Sequence, residues 1–449
     1  MNSQKIIIWS DRAMAFSFYA LIYFLPISIA LTESFAGLVL FFYIFKRGAM
    51  LYDQIRKGYL PWRALSFFRK VFSFFRSFKP VENALNWPIG IFLFFTFMSV
   101  IFSEIPLLSL RGYVGKTLEF AFLYFSFLEC MHSRKRIKIF LTIYLISFAL
   151  ICVNGMFQYF TGQEFIHGNL VESGRISSSL RHANDFGSYL ILFIPVLFFL
   201  SVLCGRRSGT QKSDFSVFAS LPARVILFLL FILALVCLGL TFSRGAWMAL
   251  ILSLFLAGCI KLRLLLPCFL LIVIFLFAAT LNLKGRNDGI FEEIRRFMSL
   301  TNKADKRVSL ERILQYDNNR MVYWQGTGEI IKDYPLFGTG LNTYSQIVGR
   351  YKKNFGVYAH NCYLQMTAEI GLLGITAFFG VLFALFRNSL EGLRLIKDQA
   401  HWLLLFGFLV GLLAFLIHSF YDTNFYSVQL SSLMWITIGV IVTLQKENR

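Results

Sequence analysis

The chain is a succession of apolar runs, each close to the roughly 20 residues a helix needs to cross a bilayer core. They cover 13–31, 34–45, 87–102, 114–131, 139–160, 186–203, 225–242, 246–260, 264–281, 362–386, 402–420 and 428–444. Across 449 residues, 57% hydrophobic and 18% aromatic content exceeds what a soluble core of this length requires. The pattern predicts an all-α integral membrane protein, a polytopic bundle of about 12 transmembrane helices. The second run is short, and a turn at Thr32 and Glu33 is expected to make the first pair a tight hairpin. Ser243, Arg244 and Gly245 alone separate the seventh run from the eighth. The first run follows Lys5 and Arg12, lacks a small-residue cleavage site and is long enough to span, so it reads as a retained helix.

The net charge of +20 is not a nucleic-acid signature here. The basic residues gather in short segments between apolar runs, as orientation signals in contact with anionic lipid do. Membrane lipids are therefore expected partners and nucleic acid is not. Lys46–Lys79, Arg134–Lys138, Arg206–Arg224, Lys261–Arg263 and Arg387–Lys397 all fall on one side, with both termini. The alternate short connections carry only Arg111 and Arg244. The first set is thus cytoplasmic, and the loops 161–185 and 282–361 face outward. Residues 60–79 read as a basic amphipathic helix in the inner headgroup layer. No internal repeat supports a transporter built from inverted halves. The seven cysteines are scattered, without the spacing of a zinc site or a disulfide framework.

The long polar interruption between Leu281 and His360 is where chemistry is expected on such a scaffold. The orientation rule disfavours arginine outside, so each outer arginine asks for a reason. Arg244 sits at the mouth of a helical hairpin, either anchoring it in outer headgroups or presenting a guanidinium to an anion. The first outer loop, "GRISSSLRHANDFGSYL", supplies Arg175, Arg181, His182 and Asn184, and either Asn184 or Asp185 can cap the helix that follows. In "NNRMVYWQGTGEIIKDYPLFGTG", Arg320, Tyr323 and Trp324 share one face of a helix that stops before Pro335. Gly338 and Gly340 then allow a tight turn. No strand precedes them and no Lys-Ser/Thr follows, so a nucleotide site is not indicated. Arg175, Arg244 and Arg320 come from three loops on one face and can together bind a diphosphate.

His360 directly precedes Asn361, which can cap the helix beginning "CYLQMTAEIGLLG". A histidine at a helix N-terminus has its charged form disfavoured, leaving it neutral as a general base must be. The alternative is an interfacial histidine bonded to a loop carbonyl. No cluster of histidine and carboxylate at ligand spacing accompanies it, so no metal is expected.

Taken together, these segments resemble the O-antigen ligase and polymerase superfamily of bacterial envelope glycan enzymes. Arg175, followed nine positions later by Asn184, is similar to its Arg…Asn element, with Ala183 where the family has Pro and Ser178 near a usual Gly. "FSRGAW", "NRMVYWQGTGEIIKDYPLFGTGLNTY" and "HNCYLQMTAEIGLLG" resemble its later motifs, in order. The resemblance implies a GT-C-like bundle with a large, partly helical periplasmic loop between the ninth and tenth helices. It places the ligase/polymerase core at 175–386, after N-terminal helices 1–174 with a basic loop 46–86 and before a C-terminal helix pair at 387–449. It also implies an inner-membrane glycosyltransferase whose donor is an undecaprenyl-diphosphate-linked glycan. The acceptor is lipid A-core in ligases or a lipid-linked glycan in polymerases. His360, Arg320 and Arg244 would be catalytic, and Arg175, Arg181, Asn184, Tyr323, Gly338, Gly340 and Asn361 would bind substrate. No cofactor is implied, since the donor is already activated. A chain-length regulator is compatible with either activity and leaves no mark in the sequence. A protein O-oligosaccharyltransferase and an anion transporter are the other readings; few charges inside the spans argue against the transporter.

Overall fold

In a computed structural model, the described residues are 3–57, 80–172, 174–203, 218, 220–260, 320–351 and 358–446, and their elements are helical apart from two isolated β-bridges within 163–175. The amphipathic segment 60–79, the span 264–281 and loop residues 282–319 lie outside them. Helices α1 (Ser3–Phe24), α2 (Ile29–Arg56) and α3 (Asn86–Ile101) come first. A bent segment follows, in which α4 (Pro106–Gly112) passes through a π-helical stretch (Tyr113–Leu118) into α5 (Glu119–Cys130). Next are α6 (Arg134–Thr161), α7 (Ala183–Val202), α8 (Leu221–Leu240) and α9 (Arg244–Ile260). Residues 320–333 form α10, followed by α11 (Tyr344–Tyr351), α12 (Cys362–Leu395), α13 (Gln399–His418) and α14 (Val428–Lys446). Among the described helices, eight are long and apolar enough to cross a membrane, and α3 and α9 are shorter apolar helices.

The first hairpin turns earlier than expected. α1 ends at Phe24, before Pro26, which lacks the N–H that would continue it. Ser28 takes an extended conformation and its side chain caps α2 through Leu31 N at 3.4 Å. Thr32 and Glu33 therefore lie inside α2 rather than in a turn. The true turn is pinned from three distant segments: Gln429 Nε2 donates to Leu25 O at 2.6 Å, Ser179 Oγ to Pro26 O at 2.7 Å, and His167 Nε2 lies 2.6 Å from Ile27 O.

α7, α13 and α14 are the most buried of the long helices. Gly407 and Gly411, one turn apart on α13, let its backbone press against α7. A Cβ at Gly411 would lie 1.8 Å from Leu192 O, and one at Gly407 would lie 2.7 Å from Val196 Cα. Small residues at such spacing are what close helix contact in lipid requires. At the end read as cytoplasmic, α1, α2, α5 and α6 are tied by a largely buried charge cluster. Lys46 contacts Asp11 at 2.6 Å and Glu129 at 3.0 Å, Arg136 reaches Asp11 at 2.6 Å, and Arg47 pairs with Glu129.

α12 is interrupted at Gly371 (φ 70°, ψ 178°), and the turn after α10 fills the break. Leu372 N donates to Pro335 O at 2.8 Å, Thr339 N to Ala368 O at 2.9 Å and Gly340 N to Glu369 O at 2.9 Å. Backbone groups released by the break are thus paired within the protein. The approach is too close for side chains, since a Cβ at Gly371 would lie 2.1 Å from Leu336 O and one at Gly338 2.4 Å from Glu369 C.

Candidate active site

The start of α7 and the residues just before it, the start of α10, the chain just before α12, the connection after α13 and the starts of α2 and α14 converge on a cavity of about 650 Å³. Arg181 and His182 come from just before α7 and Asn184 and Asp185 from its first turn; α10 contributes Arg320 and Tyr323; the chain before α12 contributes Tyr358 and His360; the connection contributes Asp422, Thr423 and Tyr426.

His360 is held by its neighbours on both sides. Ala359 N donates to Gln365 Oε1 at 3.1 Å, and Cys362 N donates to Ser419 O at 2.9 Å. Asn361 caps α12 as expected, its Oδ1 accepting from Tyr363 N at 3.0 Å and Leu364 N at 3.1 Å. Between these anchors His360 adopts φ 51°, a left-handed conformation that costs a non-glycine residue energy and persists only where the surroundings impose it. Its ring is half-buried beside Tyr323, with centroids 5.8 Å apart and planes at 52°. Burial pushes its pKa below the ordinary imidazole value; the Asp422 carboxylate opposes that shift and the Arg320 charge reinforces it. The imidazole is thus favoured in its neutral form, through burial and Arg320.

Asp422 was not singled out from the sequence, where it lies in a connection read only as a short outer loop. It is 8% exposed; its Oδ1 accepts from Thr423 N at 2.8 Å, while Oδ2 is buried with no described hydrogen-bond partner. A lone carboxylate oxygen facing a polar cavity is a position for a ligand donor or a water. Tyr358 and Tyr426 were missed for the same reason, since nothing in their local sequence announces a shared cavity. Deeper, Ser188 Oγ, His418 Nδ1 and Asn424 form a buried cluster, with Ser188 Oγ 2.7 Å from His418 Nδ1 and 2.9 Å from Asn424 Oδ1.

The arginines divide. Arg181 and Arg320 line the cavity and form no ion pair with a described residue. Arg175 instead lines a smaller adjoining pocket with His182 and Asn184. Its Nε donates to Thr241 O at 2.8 Å and its Nη2 to Asn184 Oδ1 at 2.5 Å, joining the first outer loop to the α8–α9 hairpin. Asn184 therefore does not cap α7. The cap position is His182, without a side-chain bond, and Asn184 and Asp185 fall in the first turn. Arg244 opens α9 as expected from the 243–245 boundary, but it is exposed and is not among the residues lining the large cavity. Its neighbour Gly245 abuts His418, where a Cβ would lie 3.1 Å from Nε2.

Gly338 and Gly340 support the turn that mends α12, and neither lines the cavity. Ser178, near which the resembled family tends to have a glycine, has φ 53°. That backbone suits glycine, and here the serine is fixed instead: its N–H donates to Gln158 Oε1 at 2.8 Å and its hydroxyl to Ile151 O at 2.9 Å. Among the described residues no group of three or more His, Cys, Asp or Glu could hold a metal ion.

Residues 229–379 match a protein-family model described as O-antigen ligase. The match runs from α8 into α12, taking in Arg244, Arg320, Tyr323, His360 and Asn361 and leaving Arg175, Arg181 and Asn184 before its start. The match covers this segment alone, and it supports a relationship to the O-antigen ligase superfamily and its lipid-linked glycan transfer type of activity. No curated protein matches the chain.

Proposed function

We propose that this O-antigen ligase-family chain transfers an undecaprenyl-diphosphate-linked glycan to a sugar hydroxyl of lipid A-core, at the outer face of the bacterial inner membrane. The observation that carries the reading is one cavity holding an imidazole whose neutral form burial favours, together with Arg181 and Arg320, neither of which forms an ion pair with a described residue. In the reaction, the acceptor oxygen attacks the anomeric carbon and the bond to the diphosphate breaks. His360 takes the acceptor's proton, and direct displacement inverts the anomeric centre. The departing diphosphate gains negative charge, which Arg320 and Arg181 at the cavity and Arg244 at the nearby hairpin are suited to stabilise. The imidazolium that forms is favoured by Asp422. Neither a nucleotide nor a metal is required by this scheme, because the diphosphate is already a good leaving group.

The test is the lipopolysaccharide ladder of a deletion strain rescued with wild type, His360→Ala, Arg320→Lys or Arg244→Lys, with lipid-linked glycan extracted in parallel. Loss of every glycan-bearing band with accumulation of long lipid-linked chains is the expected ligase phenotype, unrepaired by His360→Ala. A core carrying one repeat unit would instead identify a polymerase. Arg→Lys variants are expected to fail because lysine cannot provide the forked contact. Full rescue by both would remove the diphosphate role, and full rescue by His360→Ala would remove the base.

A further inference from the structure

Behind the cavity, a buried carboxylate that the proposed chemistry does not use holds one of the cavity's aromatic walls. Glu369 is 1% exposed, and its Oε2 accepts from the Tyr426 hydroxyl at 3.2 Å. Its Oε1 accepts from Tyr344 N at 3.3 Å. Lys116 Nζ lies 5.6 Å from the centroid of the Tyr426 ring and donates to Asn342 Oδ1 at 2.8 Å. Both charged groups line a separate cavity of about 80 Å³ on the far side of Tyr426. The tyrosine is therefore fixed at its hydroxyl by the Glu369 carboxyl group and at its ring by Lys116, neither of which lines the large cavity.

On the side facing the large cavity, Tyr426 meets Tyr358, with ring centroids 5.9 Å apart at 53°. Tyr358 is two residues from His360, and Tyr323 touches the His360 ring. Tyr323 thus lies against the imidazole, and the Tyr358–Tyr426 pair lines the same cavity. A base must lie within hydrogen-bond reach of the hydroxyl it deprotonates, so the acceptor sugar has to rest on this side. The C–H face of a pyranose packs on the electron-rich face of an aromatic ring, whereas a diphosphate is drawn to guanidinium groups.

We propose that Tyr426 and Tyr358 form the platform for the acceptor sugar, and that Glu369 is a positioning residue that fixes the Tyr426 ring for it. This rests on the glycan-transfer reading and adds which substrate lies against which wall. Glu369 acts through the Tyr426 hydroxyl, so removing either partner has the same consequence and removing both adds little.

The test uses the full-length chain in proteoliposomes, with lipid-diphosphate-linked O-antigen as donor and lipopolysaccharide core as acceptor, each varied in turn. Tyr426→Leu and Tyr358→Ala are expected to raise the acceptor KM about five- to tenfold and to leave the donor KM within about twofold, the size of one lost ring contact. Tyr426→Phe and Glu369→Gln are expected to give a smaller rise of about threefold, and their double variant no more than Tyr426→Phe alone. Equal rises in donor and acceptor KM, or an acceptor KM within twofold of wild type in Tyr358→Ala and Tyr426→Phe, would overturn the platform. An additive double variant would overturn the role of Glu369. Should Tyr426→Leu not fold, Tyr358→Ala at an exposed position and the isosteric Tyr426→Phe still decide the matter. A wild-type protein that moves no glycan overturns the functional reading itself, whereas an active wild type with unaffected variants sinks only this proposal.

Discussion

Tyr323 and His360 lie against each other in the cavity lining, with ring centroids 5.8 Å apart and planes inclined at 52°. Tyr323 lies three residues after Arg320, so one face of α10 carries both the ring beside the imidazole and the cation that disfavours its protonation. Tyr323→Ala is expected to lower kcat for glycan transfer by about tenfold, the equivalent of about 1.4 kcal/mol in the barrier, through loss of the ring that restrains His360. Tyr323→Phe keeps the ring and should remain within about twofold of wild type. Steady-state kinetics of the two variants would check this, and equal losses would shift the role to the hydroxyl.

The pH dependence follows from the shift at His360. A base is active when deprotonated, and burial places the pKa of His360 below the ordinary value of 6.5. Activity should therefore persist as the pH falls through 6.5 and be lost only below it. Asp422→Asn removes the neighbouring negative charge that favours the imidazolium, so the acidic limb moves to still lower pH. Arg320→Gln removes the positive charge and moves it to higher pH, on top of a lower maximum rate. Opposite displacements in a kcat/KM profile would contradict the base assignment.

Arg175 and Asn184 predict a stability effect. Arg175 bonds Thr241 O and Asn184 Oδ1 and so links the first outer loop to the α8–α9 hairpin. Arg175→Ala should cost about 1–3 kcal/mol by leaving these acceptors unpaired, seen as a lower unfolding temperature of the detergent-solubilised protein. Asn184→Asp keeps an acceptor for the guanidinium and should be tolerated better than Asn184→Ala.

Gly411→Ala should be among the most damaging small substitutions in the chain. Its Cβ would lie 1.8 Å from Leu192 O, so α13 must separate from α7. The expected cost exceeds the roughly 1–3 kcal/mol typical of overpacking, because a backbone atom and not a flexible side chain is in the way. Loss of folded protein in size-exclusion chromatography is the measurement. Gly380→Ala, with open space around its Cβ, is the control expected to behave as wild type.

Asn361→Ala removes the cap of α12 and should cost about 1 kcal/mol. It also releases one of the anchors that impose φ 51° on His360. A fall in kcat larger than the fall in stability explains is the expected outcome, and Asn361→Asp, which can still cap, should restore most of it.

Much of this architecture was legible from local sequence. Pro335 stops α10, Asn361 starts α12, and Ser243-Arg244-Gly245 divides α8 from α9, because breakers, caps and apolar period act over a few residues. The first hairpin was misplaced by a few residues because Thr32 and Glu33 are polar, whereas Pro26 and Ser28 hold the decisive backbone chemistry. Arg320 and Tyr323 are legible as one helix face, and the structure brings them to one cavity with His360.

The sequence by itself determined that the apolar runs among the described residues are helical, where several of them end, and which residue types are available between them. Only the tertiary structure decided that Asp422 faces His360, that Arg175 is bonded to Thr241 and Asn184, and that the Gly338–Gly340 turn repairs the break at Gly371. It also decided that Tyr426 is held from behind by Glu369. These pairings join residues from nine to 66 positions apart. They arise from which helix faces pack closely enough to exclude side chains, and no local period or cap encodes that.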